Sequence, residues 1–379
     1  MQLLQFRSRI EDDPLSAKLY SGVRPGYWRP KDFWEIPIWA AQMEALMWPD
    51  CHFRILDPRS VPCKLGQTEK ERPICMSVLD CNKHLVKSLV RFNPQIMFLL
   101  GGYIDPNYFM DDDNVCWFNS MEEFATTHMK SYDGALDYGA FVGKHCIPRL
   151  TLSTGCLHVC SFCSVPKKLE ERSPAYIMRD IDAMADLRFR LVYINDKTFG
   201  QAKNYPLLAT ANELLKRQDD NFLGFIIQTT PLRAAKPGFA KFLAEAGVKY
   251  VELGIESYND PILRAMHKPS SEKKCDEAAL ALRMEGISLV PNIMVGLPGE
   301  TPATYARTLK WLQDNQEECS HINLYNLAIY HGTPLATQLV PQWKEDQDEN
   351  VIQKSWSGER YHEEAYWGFV GCGLQMLSH

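Results

Sequence analysis

One segment, Thr154-Gly-Cys156-Leu-His-Val-Cys160-Ser-Phe-Cys163, places three cysteines in C-x3-C-x2-C spacing, with Phe162 just before the last. Three thiolates on one short loop can hold three corners of an iron–sulfur cube and leave the fourth iron open to a substrate or cofactor. Thiolates are soft ligands that suit iron–sulfur chemistry or zinc. His158 lies within the same loop, so a structural Cys3His zinc site is the alternative. Such sites generally draw two separated ligand pairs rather than one loop. The remaining cysteines are scattered. Those at 51, 63, 75 and 81 do not form C-x2-C pairs and read as small buried hydrophobes.

The loop needs a scaffold, and the chain around it supplies a regular one. Leu150–Ser153 reads as a short strand leading into the cysteines. Helices predicted at about 174–187, 204–217, 237–246, 272–285 and 302–315 then alternate with strands at 191–196, 223–228, 250–255, 288–295 and 322–327. Repeated strand–helix alternation implies a parallel sheet covered by helices, and right-handed crossovers curl it into a partial (β/α)6 TIM-like barrel. Polar residues gather where these strands end: Asn195 and Asp196, Gln228, Glu256 and Ser257, and Glu300. Parallel α/β sheets carry their active sites at that edge. Capping of strands and helices is the competing role for each.

The first 147 residues read as a separate unit. A strand at 1–6, a helix at 34–47, a strand at 52–57, a helix at 82–92 and a strand ending in Gly101-Gly102 suggest a small doubly wound, Rossmann-like domain. Its Gly-Gly turn would let a ligand approach the backbone. Residues 103–147 look aromatic and irregular. The expected division is therefore 1–147, a barrel at 148–340, and a tail at 341–379, with Trp343, Trp356 and Trp367, folded over the barrel.

The 379 residues carry 41 basic and 47 acidic side chains, a net charge of −6, with no dense Lys/Arg block. Nucleic acid is thus an unlikely partner. No uncharged apolar stretch approaches the ~20 residues that cross a bilayer. The N-terminus lacks a signal-peptide core. A cytoplasmic protein is expected, and in that compartment the cysteines would stay reduced.

Taken in order, several segments resemble the radical S-adenosylmethionine superfamily over about residues 148–335. Cys156, Cys160, Phe162 and Cys163 match its cluster loop. Tyr193-Ile-Asn-Asp-Lys-Thr-Phe199 looks like the "D-D-x-F" segment of one large branch, with Asn195 for the first Asp. Ala246 to Ser257 resembles its fourth strand, Leu263-Arg-Ala-Met-His-Lys268 its "vL-x-x-m-x-K" segment, and Val295-Gly-Leu-Pro-Gly-Glu-Thr301 its fifth-strand motif. His331-Gly-Thr-Pro-Leu335 resembles the sixth, with His331 for the usual Pro.

The resemblance implies a 4Fe-4S cluster on Cys156, Cys160 and Cys163, its open iron chelated by S-adenosylmethionine (SAM). Reductive cleavage would give a 5′-deoxyadenosyl radical that abstracts hydrogen from a small-molecule or peptide substrate. The implied electron donor is a low-potential flavodoxin or ferredoxin. Provisional roles follow from position. Phe162 would pack near the adenine, and Asp196 would help hold the methionine amino group. Glu256 and Ser257 would meet ribose or substrate, Asn292 and Met294 would flank the adenosine, and the Pro298-Gly299 turn would present backbone to the adenine.

Members of this branch often carry an N-terminal cobalamin-binding domain, and residues 1–147 are similar in order, with Gly101 and Gly102 as candidate contacts. A D-x-H-x-x-G motif is absent: Asp50-Cys-His52 begins like it, but Ile55 stands where Gly should be. Cobalamin-dependent C-methylation is thus one expected reaction, and a cobalamin-independent cyclisation, hydroxylation or rearrangement the other. A non-enzymatic zinc or iron–sulfur protein is the reading from a different class.

Overall fold

The computed structural model describes residues 1–6, 34–47, 51–56, 65, 72–79, 82–102, 104–143, 146–320, 322–327, 333–337, 351–354 and 360–362. These divide into two compact units. One comprises Met1–Glu11, Asp32–Arg149 and Met178–Phe189, and the other is built on Leu150–Ile177 and Arg190–His379.

The first unit is a five-stranded sheet with every pairing parallel. Strands β1 (Gln2–Phe6), β2 (His52–Leu56), β3 (Ile74–Val78), β4 (Phe98–Gly102) and β5 (Val115–Trp117) lie in the order β2-β1-β3-β4-β5. That is a doubly wound order, with its switch point between β1 and β3. Helix α1 (Ile38–Met47) begins one residue after Pro37. The expected helical start at Trp34 is instead a two-residue strand paired with Cys146–Ile147, because the residue before a proline is biased to extended backbone. Helix α2 (Lys83–Phe92) buries Val86, Leu89 and Val90 against Ile74, Met76, Phe98 and Leu100. Two strands, β3 and β5, lie outside the strands expected here. The "irregular" 103–147 segment holds β5 and helix α3 (Met121–Thr127), whose N-cap Ser120 accepts from the Glu123 amide.

The second unit is the expected partial barrel. Strands β6 (Arg149–Leu150), β7 (Leu191–Ile194), β8 (Gly224–Thr229), β9 (Val248–Glu256), β10 (Ser288–Val295) and β11 (Asn323–Asn326) follow one another in sheet order. The four pairings from β7 to β11 are parallel. Between them run α4 (Leu207–Gln218), α5 (Phe239–Glu245), α6 (Glu272–Met284) and α7 (Pro302–Asp314). The helix expected at 174–187 spans Pro174–Asp182.

Each β9 face has its own character. Val251, Leu253 and Ile255 are fully buried, whereas Tyr250 and Glu252 keep partial exposure on the opposite face. Tyr193 Oη donates to Glu252 Oε2 at 2.7 Å across the intervening strand β8, so the polar side chains share one face of the sheet. Gly254, Asn292 and Asn323 stand in one register row.

No described helix is long and apolar enough to cross a membrane. The tail at 341–379, with its three tryptophans, lies mostly outside the described residues. Within it, Val351–Lys354 pairs antiparallel with Arg360–His362.

Candidate active site

The cysteine loop leaves the C-terminal side of β6 and is tied to its surroundings along its length. Gly155 has φ +81°, and a Cβ there would lie 1.8 Å from the Lys168 carbonyl, so glycine is required. The Cys156 amide donates to Pro166 O (3.0 Å), the Leu157 amide to Gln201 Oε1 (2.9 Å) and the Ser161 amide to Met266 O (3.0 Å), while Ser161 O accepts from the Leu335 amide (3.0 Å). The loop is thus held by segments after β7, after β9 and after β11. Leu157 and Val159 face solvent; Cys156 and Cys160 are buried and Cys163 is half-buried. All three thiols are free of disulfides. The Thr198 hydroxyl sits 3.3 Å from Cys156 Sγ.

Asp196, at the end of β7, is 1% exposed. Its Oδ1 accepts from the Leu152 and Ser153 amides (2.8 and 3.0 Å) and its Oδ2 from Ser153 Oγ (2.5 Å). Burial nonetheless holds its carboxyl above the usual aspartate range. Asp196 therefore anchors the entry to the cysteine loop, a task the sequence did not show. Hydrogen bonds to a charged group contribute roughly 1.5–3 kcal/mol each.

At the end of β9, Glu256 adopts φ +62°, a conformation that costs a non-glycine residue about 1–3 kcal/mol. Its Oε1 accepts from Lys268 Nζ at 2.6 Å, and the two side chains are 11% and 7% exposed. Burial alone would push the Lys268 ammonium down. The Glu256 carboxylate and the Cys160 and Cys163 thiols outweigh that and hold it above its ordinary value. Burial raises the Cys160 thiol, with Lys268 pulling the other way and Cys163, Glu256 and Cys156 adding to the rise. Burial, then Lys268 and Lys167, keeps His158 below its usual value. A lysine-glutamate pair and three thiols therefore share one electrostatic neighbourhood.

Residues 150–312 match the sequence profile described as the Radical SAM superfamily. The chain carries a radical SAM domain. Among curated proteins it is 23% identical over 219 residues to the ribosomal protein uS12 methylthiotransferase RimO of Cereibacter sphaeroides, covering 54% of this chain and 48% of that protein. It is 26% identical over 215 residues to the hopanoid C-2 methylase of Rhodopseudomonas palustris, covering 55% and 40%. The match thus spans about half the length of these relatives or less. Among solved structures, the radical SAM methyltransferase TsrM from Kitasatospora setae, with cobalamin and a [4Fe-4S] cluster bound, superposes with TM-score 0.60 at 12% identity, covering 99% of this chain and 90% of that one. The cobalamin-dependent SAM radical enzyme OxsB, with aqua-cobalamin and SAM bound, superposes with TM-score 0.61 at 12% identity, covering 95% and 64%. At such identities the likeness is one of fold, and it extends over both units.

Within the radical SAM domain the donor set, three free thiols on one loop, suits a soft metal centre. Among the described residues, no three His, Cys, Asp or Glu side chains converge on the scale of one metal ion.

The other expected residues divide by neighbourhood. Phe162 and Met294 pack on one apolar cluster with Ile262, Met266, Leu297, Leu327 and Leu335. Asn292 Oδ1 accepts from Asn323 Nδ2 at 2.8 Å. Ser257 is fully buried, and its Oγ accepts from Asn259 Nδ2, which also reaches Thr304 O and Thr308 Oγ1. That network ties β9 to α7. Gly299, after Pro298, has φ +80° with open space around its Cβ position, so the turn's geometry is what asks for glycine. Glu300 is 2% exposed and closes this turn through the Gly296 amide.

In the first unit, Gly101 and Gly102 answer to the sheet. A Cβ would lie 2.7 Å from Phe118 O at Gly101 and 1.9 Å from Val78 O at Gly102. Strand packing thus accounts for both glycines. His331 and Gly332, like Asp50, lie outside the described residues. Sequence reasoning gave no role to Thr198, Gln201, Gly254 or Lys268. Thr198, Gly254 and Lys268 left a signal only as members of the segments Tyr193–Phe199, Ala246–Ser257 and Leu263–Lys268, and Gln201 left none.

Proposed function

We propose that this chain is a radical SAM enzyme that holds a 4Fe-4S cluster through Cys156, Cys160 and Cys163, binds SAM beside it, and uses cobalamin to methylate carbon. The reading rests on one observation above others: three free thiols on a loop pinned at the C-terminal edge of a parallel barrel. When bound, the cluster supplies the electron that cleaves SAM to a 5′-deoxyadenosyl radical. The chain's own residues do the rest. Asp196, Gln201 and Met266 O fix the loop. Phe162 and Met294 offer an apolar surface to the adenosine, with the Pro298-Gly299 turn at its edge. Asn292, Glu256 and Ser257 bring polar groups to ribose or substrate. A buried site also screens a primary carbon radical from water.

Methyl transfer is favoured by the fold likeness to two cobalamin-dependent enzymes across both units and by the sequence likeness to a methylase. The doubly wound order of the first unit suits a ligand at its switch point, with residues 1–147 as the cobalamin domain, 148–340 as the barrel and 341–379 as a lid. Methylthiolation is less well supported. Cys51 bonds Met43 O and Cys75 bonds Met1 Sδ in the packed interior, and burial pushes the Cys75 thiol far above its usual value. These are core thiols, unsuited to a second cluster.

Anaerobic reconstitution followed by mass spectrometry of bound small molecules tests the proposal. A brown protein that retains cobalamin and forms 5′-deoxyadenosine with dithionite and SAM supports it. A cluster without cobalamin leaves a cobalamin-independent radical reaction. A colourless protein with one zinc removes the enzyme reading altogether.

A further inference from the structure

Two of the three non-glycine residues with left-handed backbone among those described, Glu256 (φ +62°) and His267 (φ +52°), flank a single ion pair. The turn at His267 directs Lys268 inward, and Glu256 curls at the end of β9 to meet it, Nζ to Oε1 at 2.6 Å, both side chains nearly closed to solvent. Gly254 makes room for them: a Cβ there would come within 2.8 Å of Lys268 Nζ and 2.9 Å of Glu256 Oε1. The cysteine loop is bolted to the same segment, since both the amide and the hydroxyl of Ser161 donate to Met266 O, two residues before the lysine. Strained backbone persists only where the surroundings over-determine it, and it gathers at functional sites. A pair held at this cost to stability calls for a task of the pair itself, beyond the polar group that Glu256 offers to ribose or substrate.

We infer that the Lys268–Glu256 pair sets the reduction potential of the cluster on Cys156, Cys160 and Cys163. The inference rests on the cluster reading above. Reduction adds one electron, drawn from a low-potential donor, to a centre already made negative by its thiolates. A buried ammonium two residues from Met266, whose carbonyl is hydrogen-bonded to Ser161 between Cys160 and Cys163, favours the added charge, because Coulomb interactions are strong where water is excluded. Glu256 fixes the ammonium in place and partly cancels it. The two residues thus act on the same equilibrium with opposite signs, which a purely structural pair would not do.

The test is a mediated redox titration with dithionite on the anaerobically reconstituted full chain, without SAM, read by electron paramagnetic resonance. Lys268→Met should disfavour reduction about tenfold or more, a shift of about 59 mV per tenfold for one electron. Glu256→Gln should shift it the other way, the double variant should fall between them, and Lys268→Arg should stay near the parent. Iron content and visible absorption confirm loading of each variant. Where Lys268→Met fails to load, Glu256→Gln and Lys268→Arg still carry the sign test. Loaded variants that leave the potential unchanged, or that shift it in one direction together, would overturn the inference while leaving the cluster intact. A parent chain that takes up no cluster would instead overturn the function from which it starts.

Discussion

Both units are parallel sheets with glycines near their strand ends, and those glycines answer to different neighbours. At Gly101 and Gly102 the missing side chain spares backbone carbonyls of Phe118 and Val78, which are part of the sheet itself. At Gly254 it spares the tips of Lys268 and Glu256, which are ends of side chains. At Gly101 and Gly102 glycine is a condition of folding; at Gly254 it is a condition of placing charge. A Gly-Gly turn in a doubly wound domain is therefore weak evidence for a ligand, and a glycine opposite a buried ion pair is stronger.

The largest expected effect falls on the barrel loop. Cys160→Ala should abolish both iron–sulfur absorption and 5′-deoxyadenosine formation, while the far-ultraviolet circular dichroism of both units stays unchanged. Turnover surviving that change would contradict the cluster assignment. The glycines give the most direct test of the contrast itself. Gly102→Ala forces a Cβ into a main-chain carbonyl and should cost about 3 kcal/mol or more, read as a fall in thermal midpoint. Gly254→Ala displaces only side-chain ends, so it should cost less in stability and disturb the cluster signal instead. Equal stability losses with an unaltered cluster would erase the distinction.

Legibility followed the same divide. The cysteine loop could be read because its ligands are neighbours in the chain, and the barrel because its apolar strands are punctuated by glycine-terminated helices. β5 escaped because a three-residue edge strand shows no period. The start of α1 was misread although Pro37 marked it. Lys268 was visible only as one letter of a motif: its partnership with Glu256 depends on two left-handed turns and a gap at Gly254, which no local pattern encodes. Asp196 was found as a polar strand end, but its partners Leu152 and Ser153 lie in the segment after β6, so its anchoring task stayed hidden.

Asp196→Asn offers a smaller, sharper check on that last point. The amide keeps one accepting oxygen but turns a donor toward the Ser153 hydroxyl, and the loss should be about 2 kcal/mol, seen as a lower midpoint together with reduced cluster retention. Weaker SAM binding at unchanged stability and loading would return Asp196 to a ligand-holding role.

A pH-dependent effect concerns Glu300 at the turn after β10. Burial pushes its carboxyl up to about 7, although hydrogen bonds from the Gly296 and Leu297 amides favour the charged form. In the unfolded chain a glutamate titrates at about 4.3. Between these values the folded protein binds more protons than the unfolded one, so stability must fall as pH rises through the window. The contribution is fully present below it, lost above it, and at most on the order of 3 kcal/mol. Glu300→Gln keeps an accepting oxygen for the Gly296 amide and cannot ionise. The variant should match the parent at pH 5 and exceed it at pH 8, measured as thermal midpoints in buffers of equal ionic strength. Parallel curves would mean that the carboxyl is ionised throughout, with the turn amides outweighing burial. The barrel's strand ends would then hold Glu300 as a plain anion in addition to the Lys268–Glu256 pair.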